Sequence, residues 1–370
     1  MKKQSNPFKF GTFVDGEYFT NRVEEMEELT SIINSANHLV LIGPRRFGKT
    51  SLIRKITDVS GRPVVHLDAF MITSAQDLAS QLVSRLFRLF PLERLNAYLR
   101  EFSIVPTIKI DPVSGNTEIS FTSGAGSEDS VKTVEDAFNL VEKLSSDSAR
   151  LIVVIDEFQD LLKLGKGLDK RLRSVIQHHK KANYVFTGSQ ESMMRDLFER
   201  KKSPFYHFAI VRFIERIPAE DFKAFLEDRF RAISDQSVNI SESILAVTES
   251  HPYYTQQLAW QTWEEIGRSA EHDRAVDEAV QKLVRMHDID YDRVWANLIT
   301  TDRKILLNMS ETTLSPMGSE FMRKAGLTTA STVKSALDRL INAGHVIQEK
   351  GKYRIDDPFF SRWIHIRRNR

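Results

Sequence analysis

The chain contains no cysteine among its 370 residues. Disulfides, cysteine-bound zinc, iron–sulfur clusters and thiol catalysis are therefore excluded. No apolar run reaches the ~18 residues that would suggest a membrane span. No sign of charge dominates, since 52 Lys+Arg stand against 50 Asp+Glu, a net +2. A nucleic-acid coat or an acidic tail is thus not the overall character, although a local basic patch is allowed. Repeats and low-complexity segments are also lacking. The N-terminal MKKQSNPFKFG has two lysines with no apolar stretch after them, so no secretory signal is expected. The composition is otherwise that of a packed globular protein, with 41% hydrophobic and 28% charged residues. The length suggests two or three domains of roughly 150 residues each. A cytoplasmic protein with no membrane contact is the expectation.

Met26, Leu29, Ile32 and Ile33 recur at helical spacing and predict a helix over 22–35. His38 to Ile42 is a short apolar run ending at Gly43, the pattern of a strand buried on both faces of a parallel sheet. Leu52, Ile53 and Ile56 return to helical spacing. Val64–Leu67 is a second strand, and Leu78, Leu82, Leu86 and Phe87 mark the helix after it. Residues 107–110 and 117–121 flank Ser114-Gly115-Asn116 and predict an inserted β-hairpin. Ser123–Ser127 reads as a loop. A helix follows, with Val131, Val134, Phe138, Val141 and Leu144 on one stripe. Leu151–Ile155 is the strongest buried strand, Tyr184–Phe186 is another, and Ala209–Val211 is one more. Strands alternating with helices indicate a doubly wound parallel α/β sheet. From Pro218 to Ile299 the pattern is helical only.

Gly43-Pro44-Arg45-Arg46-Phe47-Gly48-Lys49-Thr50 fits G-x-x-x-x-G-K-[ST], between a buried strand and a helix. Glycines let the backbone wrap phosphate and aim its N–H groups inward. The following helix N-terminus adds its positive dipole end. Lys49 can reach β- and γ-phosphates, and the Thr50 hydroxyl can ligate Mg²⁺. Arg45 and Arg46 either touch phosphate or are solvated.

Asp156 and Glu157 close the strongest strand, where parallel sheets bind their ligands. Asp156 can hold Mg²⁺ through water. Glu157 is placed to polarise a water that attacks the γ-phosphate. The competing explanation is a pair of acids capping the next helix. Asp160 reads as an acid of that helix's first turn. A polar group that senses the γ-phosphate is expected on the neighbouring strand. Ser189 and Gln190 are the candidates, with Thr187 pointing elsewhere.

Residues 302–309, 319–324 and 330–342 read as three helices. His345–Gln348 and Tyr353–Ile355 flank Lys350-Gly351 as a hairpin, which completes a winged helix-turn-helix. Residues 302–370 hold thirteen Lys+Arg against seven Asp+Glu, a net +6, which leaves −4 for the rest. Lys334 and Arg339 on the third helix, with Lys350, Lys352 and Arg354 on the wing, are candidate DNA or protein contacts. Arg362, Arg367, Arg368 and Arg370 crowd the end. Asp338 on the would-be recognition face argues against DNA.

Several of these segments resemble one family. GPRRFGKTS, LIVVIDEFQDL, VIQHHKKANYVFTGSQESMM, SPFYHFAIVRFIERIP, HPYYTQQLAWQTW and DPFFSRWI look like the archaeal-type ATPases, of the STAND branch of the AAA+-related P-loop ATPases. The resemblance implies a P-loop core at 1–217, a helical lid at 218–300 and a winged helix at 301–370. It carries nucleotide binding to Gly43–Ser51. Phe19 to Glu24 resembles the box beside the adenine, with Phe19 and Arg22 as contacts. His251-Pro252 resembles the start of the lid motif that faces the nucleotide, although Pro252 also reads as an ordinary first-turn proline. Many members carry Gly-Arg where His207-Phe208 stands here, so a transition-state arginine is missing at that place. Arg200 is a nearby substitute. Winged helices in STAND-like proteins often dock on the nucleotide domain. The expected function is a Mg²⁺-dependent ATP hydrolase, with ATP between core and lid and with oligomerisation allowed. The alternatives are a nucleotide-gated DNA-binding regulator and, with no legible acceptor pocket, a phosphotransferase.

Overall fold

The computed structural model describes residues 5–20, 22–91, 98, 106–110, 117–121, 127–268, 272–349 and 351–368. Asn21, Ser114–Asn116, Ser123–Gly126, Lys350 and Arg370 therefore lie outside the described residues. The chain divides into two compact units. One comprises 22–44 and 49–215, and the other comprises 1–21, 45–48 and 216–370.

The first unit is α/β. It runs α1 (Val23–Asn34), β1 (Leu39–Ile42), α2 (Lys49–Ser60), β2 (Val64–Asp68) and α3 (Ala75–Leu89). After these come β3 (Pro106–Ile110), β4 (Thr117–Phe121), α4 (Ser127–Leu144) and β5 (Leu151–Asp156). The unit ends with α5 (Leu168–Ile176), β6 (Ala182–Gly188), α6 (Glu191–Phe198) and β7 (Ile210–Phe213). Five parallel strands form one sheet in the order β2-β5-β6-β1-β7. The apolar runs of β1, β5 and β6 are buried on both faces, which is why those strands show no polar alternation. β3 and β4 pair antiparallel in a separate two-stranded sheet. In the main sheet, Ile155 lies opposite Phe186 and Ile42 opposite Gly188. The C-terminal ends of β1, β5 and β6 therefore open on the same edge.

The opposite edge is fixed by polar side chains. The Arg62 guanidinium donates to the carbonyls of Arg150 and Ile33 at 2.7 Å each and to Asn183 Oδ1 at 2.5 Å. Tyr184 sits between two histidines. Its N–H donates to His38 Nδ1 at 3.3 Å, and its hydroxyl lies 2.8 Å from His179 Nδ1. Burial lowers both imidazoles from the ordinary 6.5 to about 4.

The second unit is helical up to a final hairpin and helix. Its helices are α7 (Ala219–Phe230), α8 (Ser237–Thr248), α9 (Pro252–Ile266), α10 (Ala275–Met286) and α11 (Asp288–Asn297). A winged helix follows with α12 (Thr300–Glu311), α13 (Ser319–Lys324), α14 (Ala330–Asn342), β8 (Val346–Glu349) and β9 (Lys352–Ile355). α15 (Pro358–Arg368) closes the chain, with Phe359, Phe360, Trp363 and Ile364 buried at helical spacing. Asp357 caps α15 by accepting the N–H groups of Phe359 (2.8 Å) and Phe360 (3.1 Å), and it also accepts from the Tyr291 hydroxyl at 2.9 Å.

The two compact units divide at 215/216, close to the expected 217, and residues 216–370 fall in one of them. One apolar cluster runs from Phe8 through Phe222, Leu258 and Leu283 to Leu337 and Ile364. α7–α11 and the winged helix thus contribute to one apolar core. Phe8 stacks against Phe230 at 5.0 Å, which places the N-terminal segment in this unit and not with the sheet.

Acid should weaken the α/β unit. His38 and His179 are neutral when folded and titrate near 6.5 when unfolded, so their contribution is complete above pH 6.5 and is lost as the pH falls towards 4. A thermal melt should show Tm dropping over that window. The drop should be shallower in the His38→Asn/His179→Asn variant.

Candidate nucleotide site

The loop between β1 and α2 is shaped by two glycines. Gly48 has φ +83°, the left-handed region that L side chains avoid. A Cβ on Gly43 would overlap the Ile214 side chain, so only glycine lets the strand exit there. The Gly43 N–H donates to the Gly188 carbonyl at 3.3 Å, which ties the loop's start to the end of β6. The Lys49 ammonium is buried and donates to the carbonyls of Gly43 (2.7 Å) and Pro44 (2.9 Å). Thr50 Oγ1 donates to Asp156 Oδ2 at 2.9 Å. Ser51 lies in the first turn of α2, and Arg45 is exposed.

Asp156 and Glu157 sit at and just past the end of β5. Asp156 Oδ1 accepts from the Thr187 hydroxyl and from the Glu157 N–H at 3.0 Å. Thr187 was expected to point elsewhere. Near the end of β6 its hydroxyl instead meets the Asp156 carboxylate, and Ser189 just beyond the strand meets Glu157. Glu157 itself has φ +49°, a left-handed turn for a non-glycine residue. Its Oε2 accepts from the Ser189 N–H (3.1 Å), the Ser189 hydroxyl (2.7 Å) and Gln159 Nε2 (2.5 Å). Ser189 therefore faces Glu157 and not an open pocket. Gln190 precedes α6 without a side-chain cap bond. Asp160 pairs with Lys163 in the turn Phe158–Lys163, as a helix-turn acid would.

The loop's tip belongs to the other unit. Phe47 is fully buried, and its ring meets the His251 ring edge-on at 4.8 Å. Arg46 is exposed, yet its guanidinium is engaged within this unit. Its guanidinium donates to the Tyr254 hydroxyl at 2.8 Å and lies 4.8 Å from the Tyr253 ring centre. Burial pushes the Tyr254 hydroxyl well above its usual range, so it stays protonated. His251 caps α9: its Nδ1 accepts the N–H groups of Tyr253 (3.2 Å) and Tyr254 (3.4 Å), and Pro252 fills the first helical position. Its Nε2 lies 3.4 Å from Asp356 Oδ1. Burial lowers the His251 pKa, which keeps the imidazole neutral.

Phe19 is half-buried in this same unit. Arg22, in the α/β unit, is only 3% exposed and does not point into open space. Its guanidinium donates to Glu25 at 3.0 Å and to the Glu215 carbonyl at 2.9 Å. Arg200 is exposed, 4.0 Å from Asp196.

The archaeal ATPase-domain family matches residues 19–258, which is more than half of the chain. The chain belongs to that family. A winged-helix family matches residues 289–366 of this member of the archaeal ATPase-domain family. Among curated proteins, none matches it. A Walker-type ATPase of Pyrococcus abyssi is similar in structure, with TM-score 0.66 and 17% identity over 95% of this chain and 97% of that one. The Aeropyrum pernix ORC2 protein, solved as ADPNP–ADP complexes, aligns with TM-score 0.53 and 16% identity over 98% of each chain. At such identities these likenesses speak to fold alone. No helix among the described residues is long and apolar enough to cross a membrane.

The candidate contact residues of the winged helix are partly engaged within their own unit. Arg339 donates to Asp302 at 2.6 Å, and Arg354 pairs with Glu249. Arg216 donates to Glu349 at 2.8 Å and to the carbonyls of Thr248 and Glu249. Lys334 and Lys352 are exposed, and Lys350 lies outside the described residues.

Phe47 is the loop's anchor in its unit. Phe47→Ala should lower that unit's unfolding free energy by about 3–5 kcal/mol. Urea titration followed by tryptophan fluorescence measures it.

Proposed function

We propose that the protein binds and hydrolyses ATP with Mg²⁺, and that the cycle repositions the winged helix. The observation that carries this reading is the meeting of Thr50, Asp156, Thr187, Glu157 and Ser189 at the ends of three parallel strands. The donor set suits Mg²⁺. Thr50 Oγ1 and the Asp156 carboxylate are hard oxygen donors 2.9 Å apart. The described residues hold no cluster of three or more His, Asp or Glu that would cage a metal. That suits an ion completed by water and phosphate oxygens. When bound, Mg²⁺ would neutralise charge on the β- and γ-phosphates.

The chain's own groups do the rest. The loop N–H groups and the start of α2 hold the phosphates. Lys49 exchanges its bonds to the Gly43 and Pro44 carbonyls for phosphate oxygens. Glu157 orients a water for in-line attack. The new P–O bond forms as the bond to the β-phosphate oxygen breaks, and the water's proton passes to the Glu157 carboxylate.

The switching part rests on Arg46 and Phe47. They pack on α9 in the unit that also holds Asp356 and the wing. A nucleotide that reshapes the loop changes what these two side chains can reach. The ion pairs Arg216–Glu349 and Arg354–Glu249 favour a docked wing over a DNA-binding regulator.

In a phosphate-release assay, Lys49→Ala should fall at least 100-fold below wild type. Glu157→Gln should bind ATP with wild-type affinity and turn over about 100-fold more slowly. Wild-type turnover in either variant contradicts the reading.

A further inference from the structure

Resting on that hydrolysis reading, we propose that Gln159 is a positioning residue that, together with Ser189, fixes the Glu157 carboxylate for attack by water. Three donors converge on Glu157 Oε2, one from Gln159 and two from Ser189. A carboxylate oxygen offers about two lone-pair sites, so Oε2 is saturated. Oε1 is the acceptor left for a water. Glu157 lies in the left-handed region, at φ +49° and ψ +44°, a conformation costing about 1–2 kcal/mol. Such strain persists only where the surroundings over-determine it.

Gln159 does not earn its place by stability. It is wholly buried, and its Oε1 has no hydrogen-bond partner among the described residues. An orphaned buried acceptor destabilises the fold, whereas leucine would fill a similar volume without one. The amide's orientation follows from chemistry, because turning it over would press its oxygen against the carboxylate. The strand is also built around it. A Cβ on Gly188 would fall 2.5 Å from Gln159 Oε1 and 2.5 Å from the Met194 side chain. The carbonyl of that same Gly188 accepts from the Gly43 N–H. Gln159 thus packs on the backbone unit that holds the start of the phosphate loop. It touches no reacting atom and acts through Glu157.

The test is a double-mutant cycle on the full chain, with nucleotide affinity measured separately by a fluorescent ATP analogue. Gln159→Leu should lower kcat at least tenfold while KM for ATP and the analogue's Kd stay within twofold. In the Glu157→Gln background the same change should leave the residual rate unaltered, since residues that act as one unit are not additive. Gln159→Met keeps much of the length and volume but removes the donor. It should reproduce the loss if the leucine variant fails to fold. Wild-type kcat in a folded Gln159 variant overturns the proposal and leaves the hydrolysis reading standing. Equal losses in both backgrounds also overturn it, because they mark a merely structural role. Wild-type turnover in Glu157→Gln alone removes the hydrolysis reading and this proposal with it.

Discussion

The carboxylate of Asp156 is the point on which the α/β unit's site depends. It takes the Thr50 hydroxyl from the start of α2, the Thr187 hydroxyl from β6 and the N–H of the next residue in its own chain. A buried or half-buried carboxylate that lost these donors would keep its charge without compensation, which is costly. The Thr50 and Thr187 bonds therefore tie the start of α2 and the end of β6 to the end of β5. Glu157, the next residue, has a left-handed backbone, and its side chain is held by Ser189 and Gln159.

The second unit is organised by a different polar contact. His251 uses one ring nitrogen to cap α9 and directs the other at Asp356, while its ring face covers Phe47. Neighbouring Asp357 caps α15, and burial raises its pKa. A loop residue, a helix N-terminus and the start of the last helix thus share one buried patch. Arg46 extends that patch through Tyr253 and Tyr254.

Much of this was legible in the sequence. β1, β5 and β6 announce themselves because strands buried on both faces are apolar without interruption. The phosphate loop and the acid pair follow from spacing, because backbone chemistry requires glycine and lysine at fixed positions. The winged helix follows from three short helices and a hairpin. What was not legible depends on tertiary partners. Local spacing could not show that Arg46 would find Tyr254, or that Arg22 would turn to the Glu215 carbonyl. The Thr187–Asp156 bond depends on how β5 and β6 pair, which local spacing does not show. Gln159, beside Asp160 between Phe158 and Leu161, carries no distinct signal in the sequence. Which helices share one core is not legible either, because a shared core leaves no mark in local periodicity.

The central claim is that the nucleotide at the loop is felt at the patch of Phe47, His251 and Asp356. Amide hydrogen exchange of the Glu157→Gln protein with ATP–Mg²⁺ against wild type with ADP–Mg²⁺ measures it. The account predicts a difference in protection at residues 251–254 and 351–357. Identical exchange there, with the loop residues 43–50 protected in both states, would contradict it.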